Sequence, residues 1–335
     1  MKRELVLAIL FPLLLVVISC ETDINVIYNS DGKPVVYCLL NPKDSIQYLR
    51  ISRSFVIRGN PREQLISPDS LILSEDFYAY LESEEANGSQ TAYYFEKTDI
   101  IERDSGLFPQ QGLVVFKAHC PVAGGKTYGL YIHFPQIPGL VAGSATVVNT
   151  VEILDPDPLP GREVTFLKDQ GYLIRWTKSI KFAVYEPVLR LIYLEGDKDF
   201  QIRKEVVMPQ PLVYGDNDYT ILSRIINGAG FIDDLVNSLA EPDPGLCRKI
   251  IGFDLEMTTG GPELAIFTRS GQNSITSFTG LDEYSNLDGA VGIYSSSTFT
   301  GIYNNRLSDL TINYLADSKT TRHLRFLHYN EDFRP

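Results

Sequence analysis

Pro121-Val-Ala-Gly-Gly-Lys-Thr-Tyr-Gly-Leu-Tyr131, continuing into Ile132, His133 and Phe134, is the stretch whose reading decides the fold. Gly124-Gly125 marks a turn, and the alternation that follows puts Tyr128, Leu130 and Ile132 on one face of a half-buried strand. Outward from it, short apolar runs recur at close spacing: Pro34–Leu40, Ser45–Phe55, Phe77–Leu81, Ala92–Glu96 and Leu113–His119. Between them lie Asn29-Ser30-Asp31-Gly32 and Arg58-Gly59-Asn60-Pro61. Short strands with turn punctuation at this rhythm predict an antiparallel sandwich. The composition agrees: 19 tyrosines and 17 phenylalanines stand against one tryptophan and three methionines, an aromatic, β-leaning profile.

The glycine turn leading into Tyr128 resembles the approach to a late strand of fibronectin-III-like domains. On that resemblance Tyr128 makes a tyrosine-corner hydrogen bond back to the turn; read on its own it is a half-buried strand tyrosine. Asp155-Pro-Asp-Pro-Leu-Pro-Gly161 reads as an extended connector that ends a sheet, which puts a domain boundary near 148–162. The expected division is residues 33–150 for a sandwich, 151–162 for a Pro-rich linker and 163–335 for a second β-rich domain.

The second domain opens with Val164–Leu167, Tyr172–Lys178 and Ala183–Leu194, where the single tryptophan, Trp176, reads as a core residue. Ile221, Leu222, Ile225 and Ile226, continued by Ile232, Leu235, Val236 and Leu239, keep helical spacing and predict a helical insert near 218–240. Asp218 or Thr220 would cap it, Gly228 and Gly230 would break or kink it, and Pro242 and Pro244 would end it. Strands resume at Lys249–Met257 and Glu263–Phe267. The Ser-, Thr- and Gly-rich remainder from 270 reads as loops and edge strands. The fold class is therefore mainly β: an immunoglobulin/fibronectin-III-like sandwich, then a β-rich domain with one or two short helices.

At the N-terminus Lys2 and Arg3 precede an apolar run from Leu5 to Ile18, shorter than the roughly 20 residues of a spanning helix. Val17-Ile18-Ser19-Cys20 resembles the lipobox of bacterial lipoproteins. The resemblance implies a leader at 1–19, cleavage after Ser19, and lipidation of Cys20. Residues 20–32 would form an acidic tether; Glu21 and Asp23 resemble a surface-export signal and read equally well as a solvated linker. The formal charge is −12, one unit more negative once Lys2, Arg3 and Glu4 depart. That argues against a nucleic-acid partner and against attachment through basic patches, so membrane residence would rest on the lipid. With Cys20 acylated, Cys38, Cys120 and Cys247 remain. Cys38 and Cys120 sit in strand-like apolar runs and read as buried hydrophobes, with one bridge between them left open.

No Gly-x-Ser-x-Gly elbow, His-Glu-x-x-His pair or Walker loop is present. His119, His133, His323 and His328 do not form a ligand series. Asp155/Asp157, Asp216-Asn217-Asp218 and Asp282-Glu283 lack the spaced oxygens of an EF-hand and read as turn and capping residues. No catalytic, metal or cofactor residue is assigned.

The lipobox, the segment Gly32–Phe55 with its Val-Val-Tyr-Cys-Leu-Leu strand, Ser274-Ile-Thr-Ser-Phe-Thr-Gly280 and Tyr284–Ser296 together resemble a lipoprotein family of the Bacteroidetes, domain of unknown function 4249. Cys38 stands where that family commonly has glycine, and Leu287-Asp288-Gly289 varies its late motif. The resemblance implies an outer-membrane lipoprotein on the surface or periplasmic side, often beside a TonB-dependent transporter. Gly289 and Gly292 read as turn or bulge positions before a strand at Ile293 and Tyr294. The expectation is a non-enzymatic, lipid-anchored binding or accessory subunit with no cofactor. A structural or adhesive surface protein and a hydrolase with an unrecognised site are the alternatives.

Overall fold

The alternation at Tyr128, Leu130 and Ile132 is realised in the middle strand of a sandwich. The computed structural model describes residues 34–53, 77–84, 88–98, 115–135, 139–157, 163–270 and 284–333. The lipobox, Cys20, the tether, Arg58–Pro61, Ser274–Gly280 and Asp282-Glu283 lie outside them.

The first half contributes β1 (Pro34–Leu40), β2 (Ile46–Arg53), β3 (Tyr78–Glu84), β4 (Gln90–Tyr94), β5 (Glu96–Lys97), β6 (Val115–His119), β7 (Thr127–His133) and β8 (Leu140–Thr146). Order β1-β2-β6-β5 makes one layer and β4-β3-β7-β8 the other, the winding of an immunoglobulin-type sandwich. Val36, Cys38, Leu40 and Leu49 of one layer meet Leu81, Leu130, Ile132 and Val141 of the other in a buried core. The Ala123 N–H donates to the Tyr128 hydroxyl at 3.0 Å, so Tyr128 forms the tyrosine corner.

The second half repeats the winding with different residues. It has β9 (Ile153–Asp155), β10 (Glu163–Val164), β11 (Tyr172–Thr177), β12 (Val184–Gly196), β13 (Gln201–Pro209), β14 (Val213–Tyr214), β15 (Ile221–Ile226), α1 (Gly228–Ser238), β16 (Cys247–Gly260), α2 (Pro262–Arg269), β17 (Val291–Leu307) and α3 (Asp309–Asp317). The layer β15-β11-β9 faces β13-β12-β16-β17. Trp176 is fully buried between them, its ring 5.7 Å from that of Tyr185. The stretch read as a connector supplies β9, paired with β11, before residues 158–162 leave the described part.

The helical reading of 218–240 needs correction. Residues 221–226 are β15, paired along β11 from Tyr172↔Ile226 to Thr177↔Ile221. Ile-Leu-Ser-Arg-Ile-Ile satisfies both periods over so short a run, and pairing with β11 selects the strand. The helix starts at Gly228, with Asn227 as its cap: the Asn227 Oδ1 accepts from the Ala229 N–H at 2.8 Å. Gly228 is required there, since a Cβ would lie 1.9 Å from the Leu167 carbonyl oxygen. Glu263–Phe267, expected as a strand, is α2: Pro262 opens it at its first turn and Leu264, Ala265 and Phe267 bury one face. Three α-helices are present among the described residues, not one or two.

The C-terminal region departs furthest from expectation. β17 is a central strand, between β16 and β1 in a ten-stranded sheet that runs across both halves. Val291–Ser296 pair parallel to β1 and Ser297–Asn305 antiparallel to β16. Ser295 and Ser296 are buried and hydrogen-bonded rather than loop-forming: the Ser295 Oγ donates to Glu263 Oε2 at 2.7 Å, and the Ser296 Oγ donates to the Thr146 carbonyl at 2.8 Å and accepts from the Val148 N–H at 3.0 Å. Tyr294 lies in the first core and donates its hydroxyl to the Tyr128 carbonyl at 3.1 Å, while Leu307 lies in the second. The chain itself passes between cores at Val147 and Val148.

Cys38 and Cys120 are buried and unbridged. Cys38 stands opposite Leu49, whereas the Cys120 N–H donates to the carbonyl of Ser45, the residue before β2 and four from Leu49. That offset alone is about 13 Å, beyond disulfide reach. Burial raises both thiols, Cys120 to about 11, so neither is a ready nucleophile.

Because Tyr294 fills the first core from a strand that also builds the second, Tyr294→Ala is expected to lower the unfolding free energy by about 3–5 kcal/mol. The urea transition seen by Trp176 fluorescence, a reporter of the second core, should shift with that seen by circular dichroism. An unmoved Trp176 transition would show that the two cores unfold independently.

Candidate functional site

Inward positions of β3 and β7 carry Ala79, Leu81, Leu130 and Ile132, so the pleat turns Tyr78, Tyr80, Glu82, Gly129, Tyr131 and His133 to the opposite face. Register aligns these into rows. Tyr80 stands between Tyr94 on β4 and Tyr131 on β7, with ring centroids 5.5 and 5.2 Å away. One step along, Tyr78 faces His133 at 4.9 Å. One step the other way, Glu82 lies between Ala92 and Gly129. Tyr78 and Tyr94 are 52% and 62% exposed.

The result is a rigid tyrosine surface on an open sheet face, beside a notch. Its floor is exposed Ala92, its carboxylate is Glu82, and its wall is the tyrosine row with the Tyr131 ring laid over Gly129. Gly129 has no side chain because the Tyr131 ring occupies the space: a Cβ at 129 would lie 2.8 Å from that ring. Partial burial raises the Tyr80 phenol above its ordinary value, with the Glu82 charge and the neighbouring tyrosines adding to the rise. Tyrosine supplies a large contact area, few torsions to freeze and a polar tip, the properties of binding-interface residues.

A second feature is a cleft of about 150 Å³ lined by Lys249, Gly252, Arg306, Ile312, Leu327 and Tyr329. Its cations are already engaged. Lys249 pairs with Asp332, and Arg306 meets Asp309 at 2.7 Å and Glu163 at 3.4 Å while lying over the Tyr329 ring. Beside it His328 is held from both sides, Nδ1 at 2.9 Å from Glu331 and Nε2 at 2.9 Å from Asp317. These hydrogen bonds, Glu331 first, raise the imidazole above its ordinary value. The cleft therefore reads as a joint between α3 and the C-terminal segment.

The other residues singled out by sequence are spoken for structurally. Asp155 pairs with Arg175, Asp216 with Arg269 at 2.8 Å and Asp218 with Lys181 at 3.8 Å. Asn217 closes a turn onto the Tyr219 N–H. His119 and His323 are exposed. Among the described residues no group of three or more His, Cys, Asp or Glu is arranged to hold a metal. The tyrosine rows escaped sequence reading, although Tyr78-x-Tyr80 and Tyr131-x-His133 carry the period-2 signal on the face away from the core. A scan against protein-family models finds no match, and neither does a search of the curated proteins.

The protonated state of His328 is the one the fold favours, so its contribution is complete below the unfolded value near 6.5 and fades as pH rises through the raised folded value. His328→Gln should therefore cost stability at about pH 5.5 and much less at about pH 9, in urea titrations at the two pH values. Equal costs at both would remove the linkage.

Proposed function

We propose that this chain is a lipid-anchored outer-membrane lipoprotein acting as a non-enzymatic binding or accessory subunit, with the tyrosine face of its first sandwich as the contact surface. The observation that carries the reading is the row Tyr94-Tyr80-Tyr131 on an open sheet face, beside a carboxylate that no Lys or Arg among the described residues pairs with. The lipobox-like Val17–Cys20 supports the anchor, and the resemblance to the Bacteroidetes lipoproteins supports an outer-membrane partner such as a TonB-dependent transporter.

A second reading, a structural or adhesive subunit, draws on β15. This strand ends its sheet and exposes Ile221 and Ile225, 47% and 66% accessible, a free edge of the kind that accepts a partner's strand.

Radiolabelled palmitate fed to cells should enter the wild-type chain, and Cys20→Ala should abolish the label and move the protein out of the outer-membrane fraction. An unlabelled wild-type chain would overturn the anchor. A photo-crosslinking residue at position 94 should join the chain to an outer-membrane transport protein. Polymers of the chain itself would favour the second reading.

A further inference from the structure

The notch beside the tyrosine row has a counterpart in the second sandwich. On β17 the Tyr303 ring folds back over Gly301, where a Cβ would meet the phenol oxygen at 2.6 Å and the ring at 2.7 Å. Directly across the strand pair from Gly301 is Glu256. In the first sandwich the Tyr131 ring folds back over Gly129 in the same way, and directly across from Gly129 is Glu82. Two sandwiches of unrelated sequence thus share one device: glycine, tyrosine two residues later folded over it, and a cross-strand glutamate beside the ring.

The copies differ in one respect. In the second, the chain supplies a guanidinium: the Arg190 Nε donates to the Glu256 Oε2 at 3.0 Å and its Nη1 to the Glu205 Oε1 at 2.9 Å, and the Arg190 charge reaches Tyr303. In the first, the positions around Glu82 on the same face are Gln90, Ala92 and Tyr94 on β4 and Thr127, Gly129 and Tyr131 on β7. None is a cation, and none of the other outward positions of β8 (Leu140, Ala142, Ser144, Thr146) is one either.

We infer that the Glu82–Gly129–Tyr131 notch is a docking site for an arginine side chain presented by a protein partner, an intermolecular counterpart of the Arg190–Glu256 ion pair. The proposal rests on the reading of this face as a contact surface and names the chemistry of what meets it. A planar guanidinium lays one face on the tyrosine ring while its N–H fork bonds the carboxylate, which a compact ammonium does less well. Ala92, small, exposed and directly across from Glu82, leaves the room. A net charge of −12 draws a basic partner in from a distance.

The test uses the full chain in detergent and phage-displayed random dodecapeptides, counter-selected on the Ala92→Arg variant, whose added guanidinium, directly across from Glu82, should fill the notch from within. Selected peptides should carry arginine, and replacing that arginine by citrulline should weaken binding about tenfold or more. Glu82→Gln and Tyr131→Leu should each do the same with thermal midpoints near wild type, while Glu256→Gln leaves peptide affinity unchanged. Arginine-free peptides that compete at position 94, or affinity indifferent to Glu82→Gln, would overturn the arginine assignment and leave the contact surface standing. No peptides at all, together with no crosslink from position 94, would sink the contact surface and the arginine site together. Palmitate labelling decides the anchor separately.

Discussion

β17 is the element on which both halves depend. Its first six residues lie parallel to β1 and its next nine antiparallel to β16, so one backbone closes two sandwiches. Such a strand needs a side-chain sequence that changes character along its length. Tyr294 fills an apolar core, Ser296 satisfies backbone groups at the joint where Thr146 and Val148 pass between cores, and Ile302 and Leu307 return to apolar packing. Entry is fixed by the Asn286 side chain, which both donates to and accepts from the backbone of Tyr294. Gly292 permits the close parallel approach: its φ is +118°, and a Cβ there would lie 2.0 Å from the Val36 carbonyl oxygen.

That dependence explains which parts of the fold were readable. The strands of the first sandwich announce themselves locally: Pro34–Leu40 is a short continuous apolar run, Thr127–His133 alternates over its whole length, the Gly124-Gly125 turn points at the tyrosine corner, and Trp176 behaves as a core residue does. β17 is not local in that sense. Its Ser-Ser-Ser-Thr centre looks like a loop because the partners of the Ser295 and Ser296 hydroxyls, Glu263, Thr146 and Val148, lie far away in sequence. The run Ile221–Ile226 is ambiguous for a different reason, since four apolar residues at i, i+1, i+4 and i+5 within six fit a strand and a helix alike. α2 was misread because an apolar five-residue run carries no period, and only Pro262 at its head signalled a helix.

The tyrosine face is half legible in the sequence. Alternation fixes which residues share a face, so Tyr78 and Tyr80 had to point away from Leu81, and Tyr131 and His133 away from Ile132. What alternation cannot supply is register. The rows Tyr94-Tyr80-Tyr131 and Ala92-Glu82-Gly129 exist only because β4, β3 and β7 pair in one particular alignment, and a slip of one residue would send each side chain to the other face.

Gly-x-Tyr on a strand acquires meaning in the same way. Alone, a glycine weakens a strand, because it has more freedom to lose and no side chain to pack. A tyrosine folded over it restores packing and covers the bare backbone, and Gly129-Leu130-Tyr131 and Gly301-Ile302-Tyr303 both do so. Laying the ring down also exposes one π-face at sheet level, and the cross-strand glutamate sets an anion at its rim. The electrostatics of that pairing favour a planar cation over any neutral or anionic group. In the second sandwich the Arg190 guanidinium is bound by Glu256 and Glu205, next to a bulge at which Asn304 of β17 takes φ +59°. The same backbone device thus carries an internal arginine pair in the second sandwich, whereas in the first no described residue brings a guanidinium to Glu82.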